Sequence, residues 1–220
     1  DKYGLRDLYG KDDRSIKYAF ASYTGNTMNL SETQTLGSGA AFETFAKPQI
    51  IPLPGSHYYD YMFVWVKSGD RKIYYSFAKH ISGDTSFISV STPVLLSGSY
   101  EILTSPSIAI NDNGTEVLFV FQQISENTTI ENQEYLYFSK LNLTTNTFTT
   151  PTQITTEGIH TNSVPTVIWN EKTGRWIIFW VNRDRTNWMS NWTVKYLVSN
   201  NASPSLSSHW NHDKINDFTT

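Results

Sequence analysis

Cysteine is missing from all 220 residues. Disulfides, thiol catalysis and Cys-ligated metals are thereby excluded. The absence does not fix a compartment. Charge is also scarce: charged residues make up 17% of the chain, against about 25% in ordinary proteins. Lysine and arginine never gather into a block and the net charge is −3, so nucleic acid is not an expected partner. The longest strong apolar run, Trp176–Val181, is far shorter than the ~20 residues a spanning helix needs. No membrane span is expected in this segment. No stretch combines a 3.6-residue apolar period with helix caps, so essentially no helix is expected.

Aromatic residues are plentiful: 7 Trp, 13 Tyr and 12 Phe. Ser, Thr and Asn take the place of the missing charges, which implies a neutral surface of hydroxyls and amides. Asn29, Asn113, Asn127, Asn142 and Asn191 each begin an N-x-S/T triplet and are candidate glycosylation acceptors. Asn201 does too, although Pro204 makes it a poorer one. These triplets point to an extracellular or cell-surface location, but a chain rich in Asn, Ser and Thr also makes several by chance.

The dominant signal is repetition. Lys47-Pro48-Gln49-Ile50-Ile51 is echoed by Ser105-Pro106-Ser107-Ile108-Ala109-Ile110 and by Val164-Pro165-Thr166-Val167-Ile168-Trp169, with prolines 58 and 59 residues apart. A fixed long period marks one supersecondary unit used repeatedly. Each unit divides into four short strands. In the third these are Pro165–Trp169, Arg175–Asn182, Thr193–Ser199 and a weaker one around Asp213–Phe218. The second gives Ile108–Ile110, Glu116–Gln122, Tyr135–Ser139 and Phe148–Ile154. The first gives Gln49–Leu53, Tyr61–Lys67, Lys72–Phe77 and Phe87–Leu95. Trp65, Phe121 and Trp180 fall at equivalent positions, as do Ser76, Ser139 and Ser199. Upstream, Asp13–Phe20 parallels Asp70–Phe77 and supplies only third and fourth strands.

Four antiparallel strands in series fit a β-propeller blade. The expected fold is all-β, with about three and a half blades: a partial blade at 1–46 and blades at 47–104, 105–163 and 164–220. A sandwich would not demand registered repetition, and a solenoid would use shorter periods. The opening proline strand, the Tyr74–Ser76 and Tyr137–Ser139 strands and the polar turns after them resemble the sialidase-like propellers with degenerate Asp-box repeats. The box equivalents are Ser82–Phe87 and Thr144–Phe148. That resemblance implies ligand-facing loops at 67–71, 98–104, 122–134, 156–162 and 182–191.

A sialidase needs an arginine triad and a Tyr–Glu pair, and other glycosidases need two carboxylates about 5–9.5 Å apart. Neither constellation stands out, so no catalytic residue, metal site or cofactor is assigned. His209-Trp210-Asn211-His212-Asp213 is the only local cluster of metal-ligand type, and a solvated turn explains it better. The candidate ligand-binding residues are Arg71, Arg183, Asp184, Arg185, Trp188 and Trp192. Tryptophan faces take sugar C–H groups, while Arg, Asp and Asn take hydroxyls; packing between blades is the competing role for the two tryptophans. His57–Tyr61 is a second aromatic cluster, in a turn on the other face. The expected function is an extracellular, non-catalytic module for binding, adhesion or assembly, with glycans as ligands. The alternatives are a fragment of a secreted sialidase-like glycosidase and a structural subunit of a surface layer or filament. A partial ring leaves an apolar face, so further chain or a second subunit is expected to complete it.

Overall fold

The computed structural model describes residues 17–35, 48–67, 72–80, 87–91, 94–96, 106–124, 134–155, 160–184, 191–211 and 216–217. The described chain is all-β, built from antiparallel sheets, and among the described residues it holds no α-helix. Its only helical turn is a 3₁₀ turn at Ser207–His209. Two compact units divide it, Asp1–Leu95 and Leu96–Thr220.

The first unit begins with a hairpin arm. Strand β1 (Lys17–Tyr18) pairs with β4 (Gln34–Thr35), and β2 (Ala21–Thr24) pairs with β3 (Thr27–Leu30). A sheet follows, ordered β5 (Gln49–Pro52), β6 (Tyr61–Lys67), β7 (Lys72–His80) and β8 (Phe87–Val90), with β9 (Val94–Leu95) also on β7. Its Phe63, Trp65 and Ala78 form a small core with Tyr18 of the arm.

The second unit holds two sheets. One runs β10 (Ser107–Ile110), β11 (Glu116–Ile124), β12 (Glu134–Asn142) and β13 (Thr147–Phe148), with β14 (Thr152–Gln153) also on β12. The other runs β15 (His160–Asn170), β16 (Arg175–Asp184), β17 (Thr193–Val198) and β18 (Asn216–Asp217). They pack face to face. Leu118, Val120, Leu136, Phe138 and Ile154 of the first meet Val167, Trp176, Ile178, Trp180, Leu197 and Trp210 of the second.

The pairing of first and second strands recurs. The residue after each proline, Gln49, Ser107 or Thr166, faces Val64, Val120 or Phe179, the neighbour of Trp65, Phe121 or Trp180. The turns that follow in the second unit are also alike. Asn111 accepts the Thr115 and Glu116 amides through Oδ1 at 2.9 and 3.0 Å, and Asn170 accepts the Thr173 amide at 3.2 Å. Gly114 and Gly174 close these turns at φ 66° and 60°, a left-handed conformation that glycine enters without steric cost.

Ser199 departs from the expected equivalence. Ser76 pairs with Phe63 and Ser139 with Phe119, two residues before Trp65 and Phe121. The Ser199 amide instead donates to Trp176, four residues before Trp180. A slide of two residues keeps every side chain on its original face, whereas a slide of one would invert them all.

The fourth strands also differ from expectation: two of them are split, and a hydroxyl spans each gap. Ser76 Oγ donates to Ser91 O at 2.7 Å while Ser91 Oγ accepts the Phe77 amide at 2.8 Å. Ser139 Oγ donates to Thr149 O at 2.6 Å while Thr149 Oγ1 accepts the Lys140 amide at 2.9 Å. The arm holds the amide half of this clasp, with the Phe20 amide on Ser31 Oγ and the Ser31 amide on Phe20 O, both at 2.9 Å, while Ala19 stands where Ser76 and Ser139 donate.

Candidate functional site

Strand β16 carries Trp176, Ile178, Trp180 and Asn182 on its buried face and ends in Arg183 and Asp184. Trp192 stands just before β17, more than half exposed at 53%. The two strands flank one loop, so their ends are neighbours: Asn182 pairs with Thr193. The Arg183 guanidinium accordingly sits over the Trp192 ring, 5.4 Å from its centroid. A pair of this kind at an exposed site contributes about 0.5–1 kcal/mol, enough to bias the orientation of the indole.

Beneath this corner lies a buried amide network. Asn162 Oδ1 accepts from Trp180 Nε1 at 2.9 Å and from Asn182 Nδ2 at 2.8 Å. Asn162 Nδ2 donates to Glu134 O at 2.9 Å, which ties β15 to the neighbouring sheet. Gln122 Nε2 donates to the Glu134 carboxylate at 2.7 Å. Asn162 is fully buried, so losing either partner would strand a polar group. Two buried acceptors at the end of β11, Gln122 Oε1 and Gln123 Oε1, have no hydrogen-bond partner among the described residues.

A β-bulge brings Asn162 here. In β15, Ser163 faces Val181 and Thr166 faces Phe179, so Val164 and Pro165 oppose the single residue Trp180. Val164 takes φ 51°, a strained conformation for a β-branched side chain. The bulge bends the strand and lets residues 160–163 continue alongside the end of β16.

Of the sequence candidates, the structure joins Arg183 with Trp192 and places Asp184 next along β16, paired with His160. Arg71, Arg185, Trp188 and Asn127 lie outside the described residues. Asn29, Asn113 and Asn191 are exposed; Asn142 is half-buried, its Oδ1 accepting the Thr144 and Thr145 amides at 2.9 and 3.0 Å. Asn113 Oδ1 accepts the Thr115 hydroxyl at 2.6 Å within its own triplet. His209 Nδ1 accepts the Ser205 amide at 3.0 Å, and its sequence neighbours His212 and Asp213 are outside the described residues. Among the described residues no three His, Asp or Glu side chains gather as a metal site.

The second aromatic cluster is partly absorbed by packing: Tyr59 stacks on Phe77 at 5.5 Å, while Lys79 Nζ lies 4.9 Å over the Tyr58 ring. Asn162, Asn182, Gln122 and Glu134 were not among the candidate binding residues, although all four stand at the ends of the expected ligand-facing loops 122–134, 156–162 and 182–191. A further hint was the polar run His160–Ser163 ahead of the repeated proline.

No protein-family model matches the chain, and no curated protein is detectably similar to it.

Proposed function

We propose that the chain is a non-catalytic binding module made of β-propeller blades and working outside the cell or at its surface. Carbohydrate is the ligand class, bound at the corner of Arg183 and Trp192. The observation that carries this reading is an indole left half in solvent, flanked by a guanidinium and mounted on a fully bonded Trp180–Asn162–Asn182 base. A preorganised aromatic platform lowers the ordering cost of binding. Polar side chains at its rim supply hydrogen bonds to hydroxyls. Three sheets with matching first-to-second-strand pairing, and a clasp found whole in two places and in its amide half in a third, support a repeated blade. Architecture of that kind hosts many activities, so the site and not the fold carries the ligand assignment.

A glycan array probed with the purified chain tests the reading. Selective binding that disappears in Trp192→Ala, with a melting temperature little changed, is the expected result. No binding by the folded chain, or binding indifferent to Trp192→Ala, overturns it. Turnover of a fluorogenic sialoside that is abolished by Arg183→Ala would favour a sialidase-like glycosidase instead.

A further inference from the structure

Two apolar faces of the chain are turned to solvent, one in each unit. The first belongs to the arm. Ala21 pairs with Leu30 and Tyr23 with Met28, which puts these four side chains on one face; Ser22, Thr24, Thr27 and Asn29 make the other. Tyr23 is 73% and Leu30 64% exposed. The second is the outer face of the β15–β17 sheet. Ile168, Ile177, Phe179, Val181, Val194 and Tyr196 alternate with the buried row, and Ile168 and Val194 are 42% and 41% exposed. The arm face carries no charge at these positions, and the outer face of β16 is apolar between Arg175 and Arg183, which continue its row at the two ends.

The packing inside the second unit says what such faces meet. Sheet β10–β14 presents Leu118, Val120, Leu136 and Phe138 to the sheet that follows it. In β16 and β17 the same register positions are Ile177, Phe179, Val194 and Tyr196, because Val120 faces Phe138 as Phe179 faces Tyr196. The exposed outer face is thus the side with which a sheet of this kind covers its successor. The clasps place the arm in the same frame. Phe20 with Ser31 corresponds to Lys140 with Thr149, which makes Ala21 the counterpart of Leu141. Leu141 faces Val117, on the side of the β10–β14 sheet away from β15–β17, the side that would receive a preceding sheet. Tyr18, on the arm's opposite face, already lies 6.4 Å from Phe63 of the sheet that follows it.

We propose that copies of this chain associate head to tail. The arm face of Ala21, Tyr23, Met28 and Leu30 in one copy docks on the outer face of β15–β17 in the next. The occupant is a second copy because the chain itself carries both halves of the contact, each apolar and each matching the other by register. Such a heterologous contact closes into a ring or grows as a filament. It extends the assembly side of the binding-module reading, and it adjoins the ligand corner because Arg183 and Trp192 continue the rows of Val181 and Val194: glycan binding by a monomer, or assembly without glycan binding, separates the two.

Sedimentation across a concentration series tests it on the full chain. Wild type is expected to associate with rising concentration. Tyr23→Lys and Val194→Lys each lower the association constant by about tenfold or more. An equimolar mixture of the two variants forms a 1:1 dimer and nothing larger, since one sound contact remains. Leu30→Lys and Ile168→Lys repeat the design should either first variant lose its wild-type circular dichroism. A wild type that stays monomeric throughout overturns the proposal. So does a Tyr23→Lys variant that associates as strongly as wild type, or a mixture that fails to recover the dimer.

Discussion

Strands β11 and β16 meet their first-strand partners in the same register, yet their burial differs. In β11 every residue from Val117 to Gln123 is buried. In β16 the even positions from Trp176 to Asn182 are buried and the odd ones are only half-buried. Both strands are rich in aromatic and β-branched residues, so composition does not set them apart. What differs is how many faces are covered, and a strand covered on both faces reads as a continuous apolar run. The sequence Trp176–Val181 is written as such a run although only one of its faces is covered here.

Alanine substitutions should break this comparison most strongly. Phe119→Ala and Trp180→Ala each remove a ring that is almost wholly buried, and each is expected to cost about 3–5 kcal/mol. Phe179→Ala, next along the chain from Trp180, is expected to cost only about 1–2 kcal/mol because its face is half open. Urea denaturation of the three variants checks this. Similar losses for Phe179→Ala and Trp180→Ala would mean that both faces of β16 are covered in solution.

The two ends of the interface between these sheets differ as well, and a second pair of variants sharpens the point. At one end neutral amides meet on Asn162. At the other, Lys140 Nζ lies 2.8 Å from Glu116, and Ser203 Oγ donates to the same carboxylate at 2.7 Å. Asn162→Ala leaves Trp180 Nε1 without its acceptor in the interior and removes the bonds to Asn182 and Glu134, a loss of about 2–3 kcal/mol. Lys140→Met is expected to lose about 1–2 kcal/mol, because Ser203 remains to bond Glu116 and the butyl stem is replaced by similar bulk. Only the Lys140 effect involves a charge pair, so only it should shift with salt, and by little because both partners are about nine-tenths buried. Thermal melts at low and high salt separate the two.

Much of the strand plan was legible because β-branched and aromatic residues cluster where strands are, and Gly-bearing turns stand between them. The second and third strands are found close to their expected ranges. The split fourth strands were less legible, since what breaks them is a single hydroxyl in an ordinary polar context. A signal did exist: Ser91-Thr92-Pro93 and Thr149-Thr150-Pro151 lie 58 residues apart, at the period of the longer repeat. At the site, the polarity and aromaticity of 182–192 pointed to Arg183 and Trp192. The Asn162 network was hidden because its members come from strands joined only by folding, and Asn is too common in this chain to stand out.

Val164 offers a smaller effect of opposite sign. At φ 51° its branched side chain is strained, and the side chain is exposed, so Val164→Gly gives up little burial. Relief of the left-handed conformation offsets the entropy glycine adds to the unfolded chain, and a gain of up to about 1 kcal/mol is expected. A lower melting temperature for Val164→Gly would show that the bulge depends on the valine side chain.

Trp192→Ala should cost only about 0.5–1 kcal/mol, far less than Trp180→Ala, since it removes a half-exposed ring and one weak cation–π contact. That small effect separates the roles of two tryptophans twelve residues apart in one strand–loop–strand segment. Trp180, bonded and buried, holds the sheets together; Trp192, outside the core, is free to serve a ligand. If Trp192→Ala instead lowered the midpoint of urea denaturation as far as Trp180→Ala does, Trp192 would be a packing residue in solution and the proposed platform would be lost. If it left the midpoint little changed and abolished glycan binding, the division between the two would stand as the physical basis of the site.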